Sequence, residues 1–219
     1  MLLERPRCPN SWVLIVPEDA RDLVVIGAGG HAKVVIDCAE RVGQKIHGVV
    51  DDRVGTTVFD YPYLGSLDNL ALNSDWQFVI AIGSNVVRAR IANSLEDRVT
   101  WAQLIDPQAS VSKRASIQAG SVVFAGAVVQ ADAKVGKHVI LNTGCRVDHD
   151  VEIGNHCHIA PGAILTGGVV LEEGVFVGAG AVILPGVRVG AWSTLGAGSV
   201  ATKDLSSEQV FMGSPARLK

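Results

Sequence analysis

The sequence has no strong excess of either charge. It contains 19 Lys and Arg residues against 22 Asp and Glu residues, so the net charge at pH 7 is −3. Proteins whose main partner is a nucleic acid or an anionic membrane usually carry a strongly basic surface. The composition therefore argues against both classes of partner.

Long apolar runs are missing from the start of the chain. The first twenty residues contain one apolar run, residues 12–16, with charged residues on both sides. This run is too short for a membrane-spanning helix and does not have the pattern of a signal peptide. We expect residues 1–21 to be a leader of uncertain structure.

The cysteines follow no disulfide pattern. Cys8, Cys38, Cys145 and Cys157 are separated by unrelated spacings, whereas a disulfide framework needs a consistent arrangement. Unpaired thiols fit a reducing compartment. Together with the missing signal peptide, this predicts a cytoplasmic protein.

A repeat of six residues dominates the second half of the chain. Ile, Leu or Val occupies every sixth position from Ile105 to Leu195, sixteen times without a miss, and Ala, Ser, Cys or Val follows each of them by four residues. Six is a multiple of the strand period of two, so both positions face the same side of an extended chain. Stacked hexads bury that side continuously, which one hexad alone cannot do. The sequence predicts a hexapeptide-repeat β-helix over residues 105–200, capped by residues 201–219.

The pattern before the repeat alternates between strands and helices. Fully apolar runs are typical of buried parallel strands, and the intervening segments have helical spacing. The predicted strands are 23–26, 46–50 and 78–82, and the predicted helices are 32–41 and 86–95. This alternation indicates an α/β domain with a parallel sheet over residues 22–104.

The carboxyl ends of these strands are the expected ligand site of the α/β domain. A glycine-rich turn with Gly29, Gly30 and His31 follows the first strand, Asp51 and Asp52 follow the second, and Gly83 follows the third. Such a turn lets a phosphate approach backbone N–H groups at a helix start. NAD and a nucleotide-sugar diphosphate would both fit, and so would a tight turn that binds no ligand.

A histidine beside two carboxylates is the candidate for proton transfer. His149 follows the inward Val147, lies outside the predicted core and is flanked by Asp148 and Asp150. Neighbouring carboxylates keep an imidazole basic, so His149 is suited to accept a proton. The alternative is an ordinary solvated surface histidine.

A second group of histidines raises the question of a metal site. His138 and His156 are 18 residues apart, so they are predicted to stack on one face, and Cys157 and His158 follow directly. Cys157 occupies an inward position, however, and the spacing shows no convergent set of ligands. We expect a solvent-exposed ladder of histidines and no metal.

Several motifs together resemble the left-handed β-helix sugar acetyltransferases of the NeuD superfamily, and most closely the nucleotide-linked amino-sugar N-acetyltransferases such as PglD. The motifs are GAGGHAK at 27–33, VVDD at 49–52, IAIG at 80–83, ILNTGCRVDHDVEIG at 140–154, HIAPGA at 158–163 and GSPAR at 213–217. The resemblance implies a Rossmann-like α/β nucleotide-binding domain followed by a left-handed parallel β-helix of three-sided coils. At about 18 residues per coil, the repeat would form roughly five coils.

The resemblance also implies an activity. It is acetyl-CoA-dependent N-acetylation of a UDP- or dTDP-linked 4-amino-4,6-dideoxy sugar in bacterial glycan biosynthesis, by direct transfer and without a metal. Family members are trimers with active sites between adjacent subunits.

The roles of individual residues follow from the same resemblance. His149 would be the general base, and Asp150 would tune it in place of the Glu that is common in the closest branch, so its shorter side chain could contact the imidazole less well. The nucleotide sugar would be bound by Gly29, Gly30, His31, Asp51, Asp52 and Gly83, with Asn142 in the acceptor pocket. Acetyl-CoA would lie along His158, Gly167, Ala179 and Ala197.

Four alternative functions follow from parts of the same pattern. A sialic acid-type sugar O-acetyltransferase would share the β-helix and the histidine. A zinc hydratase of the γ-carbonic anhydrase type uses the same helix but different histidine spacing. A structural β-helix such as an ice-binding protein needs a regular ladder of Thr, and an NAD enzyme needs a second catalytic domain; the sequence contains neither.

Overall fold

The computed structural model of the chain describes residues 21–55 and 57–219. Except for its last residue, the predicted leader 1–21 lies outside the described residues. The architecture is an α/β unit followed by a parallel β-helix, as the sequence predicts.

The α/β unit is built on a parallel sheet of four strands in the order β2-β1-β3-β4. The strands are β1 Asp22–Ile26, β2 Ile46–Val50, β3 Trp76–Ile80 and β4 Thr100–Trp101, and the helices are α1 Gly30–Arg41 and α2 Asn85–Leu95. Short 3₁₀ turns cover Leu67–Asn69 and Glu96–Arg98. Strand β3 begins two residues before the predicted 78–82 because Trp76 and Gln77 pair with the start of β1.

The β-helix contains seventeen two-residue strands on three faces. Face 1 consists of β5 Leu104–Ile105, β8 Val122–Val123, β11 Ile140–Leu141, β14 His158–Ile159, β17 Phe176–Val177 and β20 Thr194–Leu195. Face 2 consists of β6 Ser110–Val111, β9 Val128–Val129, β12 Arg146–Val147, β15 Ile164–Leu165, β18 Val182–Ile183 and β21 Val200–Ala201. Face 3 consists of β7 Ser116–Ile117, β10 Lys134–Val135, β13 Glu152–Ile153, β16 Val170–Leu171 and β19 Arg188–Val189.

The helix makes about six turns, one more than the roughly five expected. The last strand of face 2 holds Ala201 at its inward position, so it does not match the Ile, Leu or Val pattern used for counting. Ala201 is nevertheless fully buried in the same core. The repeat therefore extends one hexad beyond its most regular part.

The inward positions form one continuous apolar core. From Val123 onward the second residue of each strand and the small residue four positions later are buried, including Leu165, Cys145 and Cys157 at 0% exposure, whereas the inward residues of the first coil are partly buried. Several corners between faces are turned in the left-handed backbone region, which His138 and His156 adopt despite their side chains. The position of a residue within its coil therefore determines whether its side chain lies in the core or outside it.

The chain after the repeat closes one end of the β-helix. Strand β22, Val210–Met212, pairs parallel to β20, and β23, Arg217–Leu218, pairs antiparallel to β22. Phe211 and Ala216 are buried against the last coil. This covers backbone groups that would otherwise form an exposed sheet edge.

The α/β unit packs on the outer side of face 1. Val122, Phe124 and Ile140 share one buried cluster with residues of α1, and Arg41 of α1 lies 3.1 Å from the buried carboxylate of Asp106.

Among the described residues, no helix is both long and apolar enough to cross a membrane.

The core predicts a contrast between two adjacent valines. Val169 is fully buried inside the helix, whereas Val170 points outward from face 3 and is half-buried. We expect Val169→Ala to lower the free energy of unfolding by about 2 kcal/mol, through lost burial and the cavity left behind, and Val170→Ala by only about 0.5 kcal/mol. Urea denaturation at one protein concentration measures both; equal losses would contradict the assigned orientation.

Candidate active site

The glycine-rich turn brings β1, β2 and β3 together. Gly27 has φ +106°, and a Cβ there would lie 2.8 Å from Ile82 Cγ1, so only glycine fits. The next N–H, of Ala28, donates to Asp51 Oδ2 at 2.7 Å. The turn is therefore fixed to the carboxyl ends of both neighbouring strands.

A cleft of about 540 Å³ opens at this edge of the sheet. It is lined by the turn, the ends of β2 and β3, and helix α2, with Asp51, Asp52, Arg53, Asp68 and Arg90 among its polar residues. A volume of this size suits a small-molecule ligand. The cleft lies where ligands bind in parallel α/β sheets.

Three of the predicted ligand-binding glycines occupy open positions. A Cβ built on Gly29, Gly30 or Gly83 would meet no protein atom within 4 Å. Gly29 immediately precedes α1. No side chain of the described residues caps the first N–H groups of this helix, so an anion can approach them. The local structure thus permits close contact with a phosphate.

Asp51 is held by the protein itself. Besides Ala28, Arg53 donates to its Oδ1 from both the backbone N and Nε at 3.0 Å. The hydrogen bond from the Arg53 side chain is the main reason why the pKa of Asp51 is lowered. Asp51 therefore shapes the wall of the cleft as an ionised carboxylate.

The candidate base forms a close pair with its neighbour. His149 Nδ1 lies 2.7 Å from Asp150 Oδ2, and both side chains are about two-thirds exposed (62% and 65%). The hydrogen bond to Asp150, followed by the charge of Asp148, raises the pKa of His149. Asp150 thus reaches the imidazole in spite of its short side chain.

Gly167 leaves room for the His149 ring. Gly167 lies one coil after His149, and a Cβ on it would lie 2.7 Å from His149 Cε1 and 2.8 Å from Nε2. The ring therefore rests on the backbone of the next coil, with Nδ1 directed to Asp150. Because Nδ1 is paired with Asp150, Nε2 is the ring nitrogen that is left to accept a proton.

His158 is buried between face 1 and the α/β unit. Its Nδ1 lies 3.3 Å from the Gly83 carbonyl, and its Nε2 lies 3.1 Å from Asn142 Nδ2. Burial, with a smaller effect of Arg88, lowers the pKa of His158 to about 4. The ring of His31 is 6.1 Å away, centroid to centroid, and burial lowers its pKa to about 4 as well.

Apart from His158 on face 1, the predicted site residues of the β-helix fall into two groups. The His149 corner, between faces 2 and 3, contains His149, Asp150 and Gly167. The Asn142 corner, between faces 1 and 2, contains Asn142 and, in later coils, the exposed Ala179 and Ala197. Face 2 separates the two corners within one chain.

The pair His138 and His156 stacks as expected, with centroids 5.4 Å apart and an interplanar angle of 6°. The expectation that the pair is solvent-exposed was wrong: the two residues are 4% and 5% exposed. Trp101 packs edge-on against His138 at 4.6 Å, which the sequence could not indicate because it depends on how the α/β unit docks. Among the described residues no group of three or more His, Cys, Asp and Glu is arranged for a metal.

Two polar residues of α2 were missed by the sequence analysis. Asn85 and Arg88 are 8% and 1% exposed and hydrogen-bond carbonyl oxygens of the β-helix. Arginine in a short helix is typical of an exposed face, so no local signal marked them.

Two family descriptions match the chain. Residues 22–95 match the PglD N-terminal domain. Residues 132–167 and 168–203 match the bacterial transferase hexapeptide (six repeats). The two matches correspond to the α/β unit and to part of the β-helix.

Solved structures match nearly the whole chain. PerB from Caulobacter crescentus, in complex with CoA and GDP-perosamine, has a TM-score of 0.83 and 35% identity, covering 90% of this chain and 97% of that one. The acetyltransferase domain of PglB from Neisseria gonorrhoeae, in complex with acetyl coenzyme A, has a TM-score of 0.83 and 36% identity, covering 91% and 99%. Variants of the Caulobacter enzyme with one histidine replaced by Asn or Ala also form complexes with CoA and GDP-perosamine.

Curated relatives match over shorter segments. UDP-N-acetylbacillosamine N-acetyltransferase from Bacillus subtilis (strain 168) is 37% identical over 115 residues, which are 48% of this chain and 52% of that protein. A protein of Acanthamoeba polyphaga mimivirus is 29% identical over 113 residues, 23% of its length. The matched segments thus span about half or less of these curated relatives.

The geometry around His149 predicts the order of two substitutions. Asp150→Asn removes the ionised partner of Nδ1, so we expect the pKa of His149 to fall toward its ordinary value of 6.5. Asp148→Asn removes only the more distant charge and should lower the pKa less. NMR titration of the His149 ring measures both; a larger effect of Asp148→Asn would contradict the pairing.

Proposed function

Since the chain belongs to the family of hexapeptide-repeat N-acetyltransferases that act on nucleotide-linked amino sugars, we propose that it transfers the acetyl group of acetyl-CoA to the amine of such a sugar. The observation that carries the proposal is the combination, in one chain, of a cleft and an open glycine-rich turn at the carboxyl edge of the sheet with an exposed His–Asp pair on a β-helix. The likeness to PerB and to the acetyltransferase domain of PglB, over 90% and 91% of the chain, supports it.

We assign the proton transfer in this proposal to His149. The sugar amine attacks the thioester carbonyl, a C–N bond forms, and the C–S bond to CoA breaks. The nitrogen must lose a proton during this step, and an imidazole with a pKa near neutrality is suited to accept it. Asp150 stabilises the imidazolium that results, and the proton can then pass to the departing thiolate.

Direct transfer is proposed because no nucleophile lies beside the base. In the part of the chain that the structure describes, the hydrogen-bond partner of the His149 ring is the Asp150 carboxylate, and the Asp148 carboxylate accepts from the backbone N–H of His149. Cys145 and Cys157 are buried, and burial raises the pKa of both thiols to about 12. A buried, protonated thiol is a poor acyl acceptor.

The acceptor is proposed to be a UDP- or dTDP-linked 4-amino-4,6-dideoxy sugar of bacterial glycan biosynthesis, acetylated in the cytoplasm. In this proposal the diphosphate lies at Gly29, Gly30 and the start of α1, and the nucleoside occupies the cleft beside Asp51 and Asp52. The Caulobacter relative binds a GDP-linked sugar. GDP-linked sugars therefore belong among the acceptors to be tested.

We propose that the active site forms between two subunits of a homotrimer. Face 2 presents an outward apolar strip of Ile164, Val182 and Val200, all half-buried in the single chain, and the exposed Arg146 separates this strip from Val128. This strip lies between the His149 corner and the Asn142 corner. A second copy packed there would cover the strip and place the two corners of different chains side by side, so that acetyl-CoA would lie along Ala179 and Ala197 near the base of its neighbour.

An acceptor panel tests the reaction. Thiol release from acetyl-CoA would be followed with UDP-, dTDP- and GDP-linked 4-amino sugars, with sialic acid and buffer as controls. We expect turnover on an amino sugar nucleotide. Turnover on sialic acid alone would replace the proposal with sugar O-acetylation, and silence on every acceptor would contradict both.

Replacing the base should remove turnover and keep binding. We expect His149→Ala to lower kcat by about 100-fold or more, within the range of general base catalysis, while CoA and the nucleotide sugar still bind by calorimetry. His47→Ala is the matched control, because His47 is a half-exposed histidine on the α/β unit. Retained turnover in His149→Ala would refute the assignment.

Two inactive variants should complement each other if the site spans two chains. His149→Ala and Asn142→Ala, each inactive alone, would be mixed, dissociated and reassembled. Some interfaces in the mixed trimers then combine an intact His149 corner with an intact Asn142 corner, so activity should reappear at a substantial fraction of the wild-type value. Mixed trimers, verified by native mass spectrometry, without recovered activity would contradict a shared site.

A further inference from the structure

Arg88 is the most deeply buried cation of the described chain. Its side chain on α2 is 1% exposed and makes six hydrogen bonds. The acceptors are the carbonyl oxygens of Ile82, Gly83, His138, His156 and Cys157 and the amide oxygen of Asn85. All of these acceptors are uncharged.

A buried guanidinium is costly unless its N–H groups are satisfied. Here the planar guanidinium fork donates to carbonyl oxygens of both units. One set lies in the loop after β3 of the α/β unit, and the other lies at the corner between faces 3 and 1 of the β-helix. Burial lowers the pKa of Arg88 to about 10, so it remains charged at neutral pH. The geometry of the fork therefore fixes that loop against the β-helix.

The Gly83 carbonyl connects Arg88 to His158. It accepts hydrogen bonds from Arg88 Nη1 at 3.3 Å and from His158 Nδ1 at 3.3 Å. A carbonyl oxygen can only accept, so Nδ1 of His158 carries a hydrogen. The pKa of about 4 keeps the ring neutral, and Nε2 is then an acceptor.

The second nitrogen of His158 orients Asn142. Nε2 accepts from Asn142 Nδ2 at 3.1 Å, and Asn142 Oδ1 accepts from the N–H of Thr143 at 2.8 Å. These two hydrogen bonds together fix which end of the Asn142 amide is nitrogen and which is oxygen. A hydrogen-bonded chain runs from Arg88 through Gly83 and His158 to Asn142, which lies at the Asn142 corner.

We propose that Arg88 is a positioning residue of the acetyl transfer: by holding the Gly83 carbonyl, it fixes the tautomer of His158 and the orientation of the Asn142 amide. Its catalytic consequence rests on the proposed function. Arg88 acts on His158 through the Gly83 carbonyl that both residues contact. Displacements of about 1 Å at reacting groups can lower a rate by about 100-fold. Losing the hydrogen bonds of Arg88 can therefore affect catalysis although Arg88 is several contacts away from Asn142.

The test compares Arg88→Met, Arg88→Lys and Arg98→Met. Lysine keeps the charge but lacks the planar fork and can hold fewer carbonyls. Arg98 is an exposed arginine of the same unit and serves as the matched control. Circular dichroism and size-exclusion chromatography of each variant show whether the fold and assembly remain, and Arg88→Lys covers the case in which the methionine variant does not fold.

The first readout is the tautomer of His158, measured by ¹⁵N NMR of the histidine rings and assigned with a His158→Gln spectrum. In the wild type we expect a neutral ring protonated at Nδ1. In Arg88→Met, and partly in Arg88→Lys, we expect a mixture of tautomers or a protonated ring. This measurement needs no acceptor sugar, so it tests the hydrogen-bonded chain even if the proposed function fails.

The second readout is kinetic. We expect kcat to fall by about 100-fold in Arg88→Met and by about 10-fold in Arg88→Lys, with KM for acetyl-CoA unchanged and Arg98→Met at the wild-type rate. A folded Arg88→Met with wild-type kcat would overturn the proposal. So would a loss of kcat with an unchanged His158 tautomer, since Arg88 would then act only as a structural support.

Discussion

Backbone pairing between successive coils is the constraint on which the rest of the structure depends. Within each face of the β-helix, successive strands pair in parallel with an offset of 18 residues, as Arg146 does with Ile164. This register stacks equivalent positions along the helix axis, so a side chain that leaves one corner must fit over the corner of the next coil. His149 can lie where it does because the next position in its column is Gly167. The core repeat thus determines both the fold and the surroundings of the candidate base.

The α/β unit depends on the same frame through a polar joint. Arg88 and Asn85 hydrogen-bond carbonyls at one corner, and the apolar cluster of α1 covers face 1 beside them. Burial keeps His158 neutral, so this residue contributes to the joint through directional hydrogen bonds and not through a charge. The candidate ligand cleft is therefore held at a defined place relative to the β-helix, as the proposed transfer between two bound substrates requires.

The sequence predicted the parts of the structure that rest on local periodicity. The hexad rule located the inward residues, and the glycine turn and Asp51 were placed together because parallel strands end at one edge. The burial of His138 and His156 and the contact between Asn142 and His158 could not be predicted in this way. The first depends on the docking of the α/β unit, which places Trp101 against His138. The second is a contact between adjacent coils, in which the Gly83 carbonyl of the α/β unit orients the His158 ring. The last strand of face 2 falls outside the Ile, Leu or Val pattern because Ala201 breaks that pattern while keeping the geometry.

The central claim is that an amine on a nucleotide-linked sugar receives the acetyl group. It is tested most directly by incubating the protein with acetyl-CoA and a nucleotide-linked 4-amino sugar and identifying the acetylated atom of the product by two-dimensional NMR. The account predicts an amide at the amino-bearing ring carbon and free CoA in equal amount. An ester on a sugar hydroxyl, or CoA released without an acetylated sugar, would contradict it.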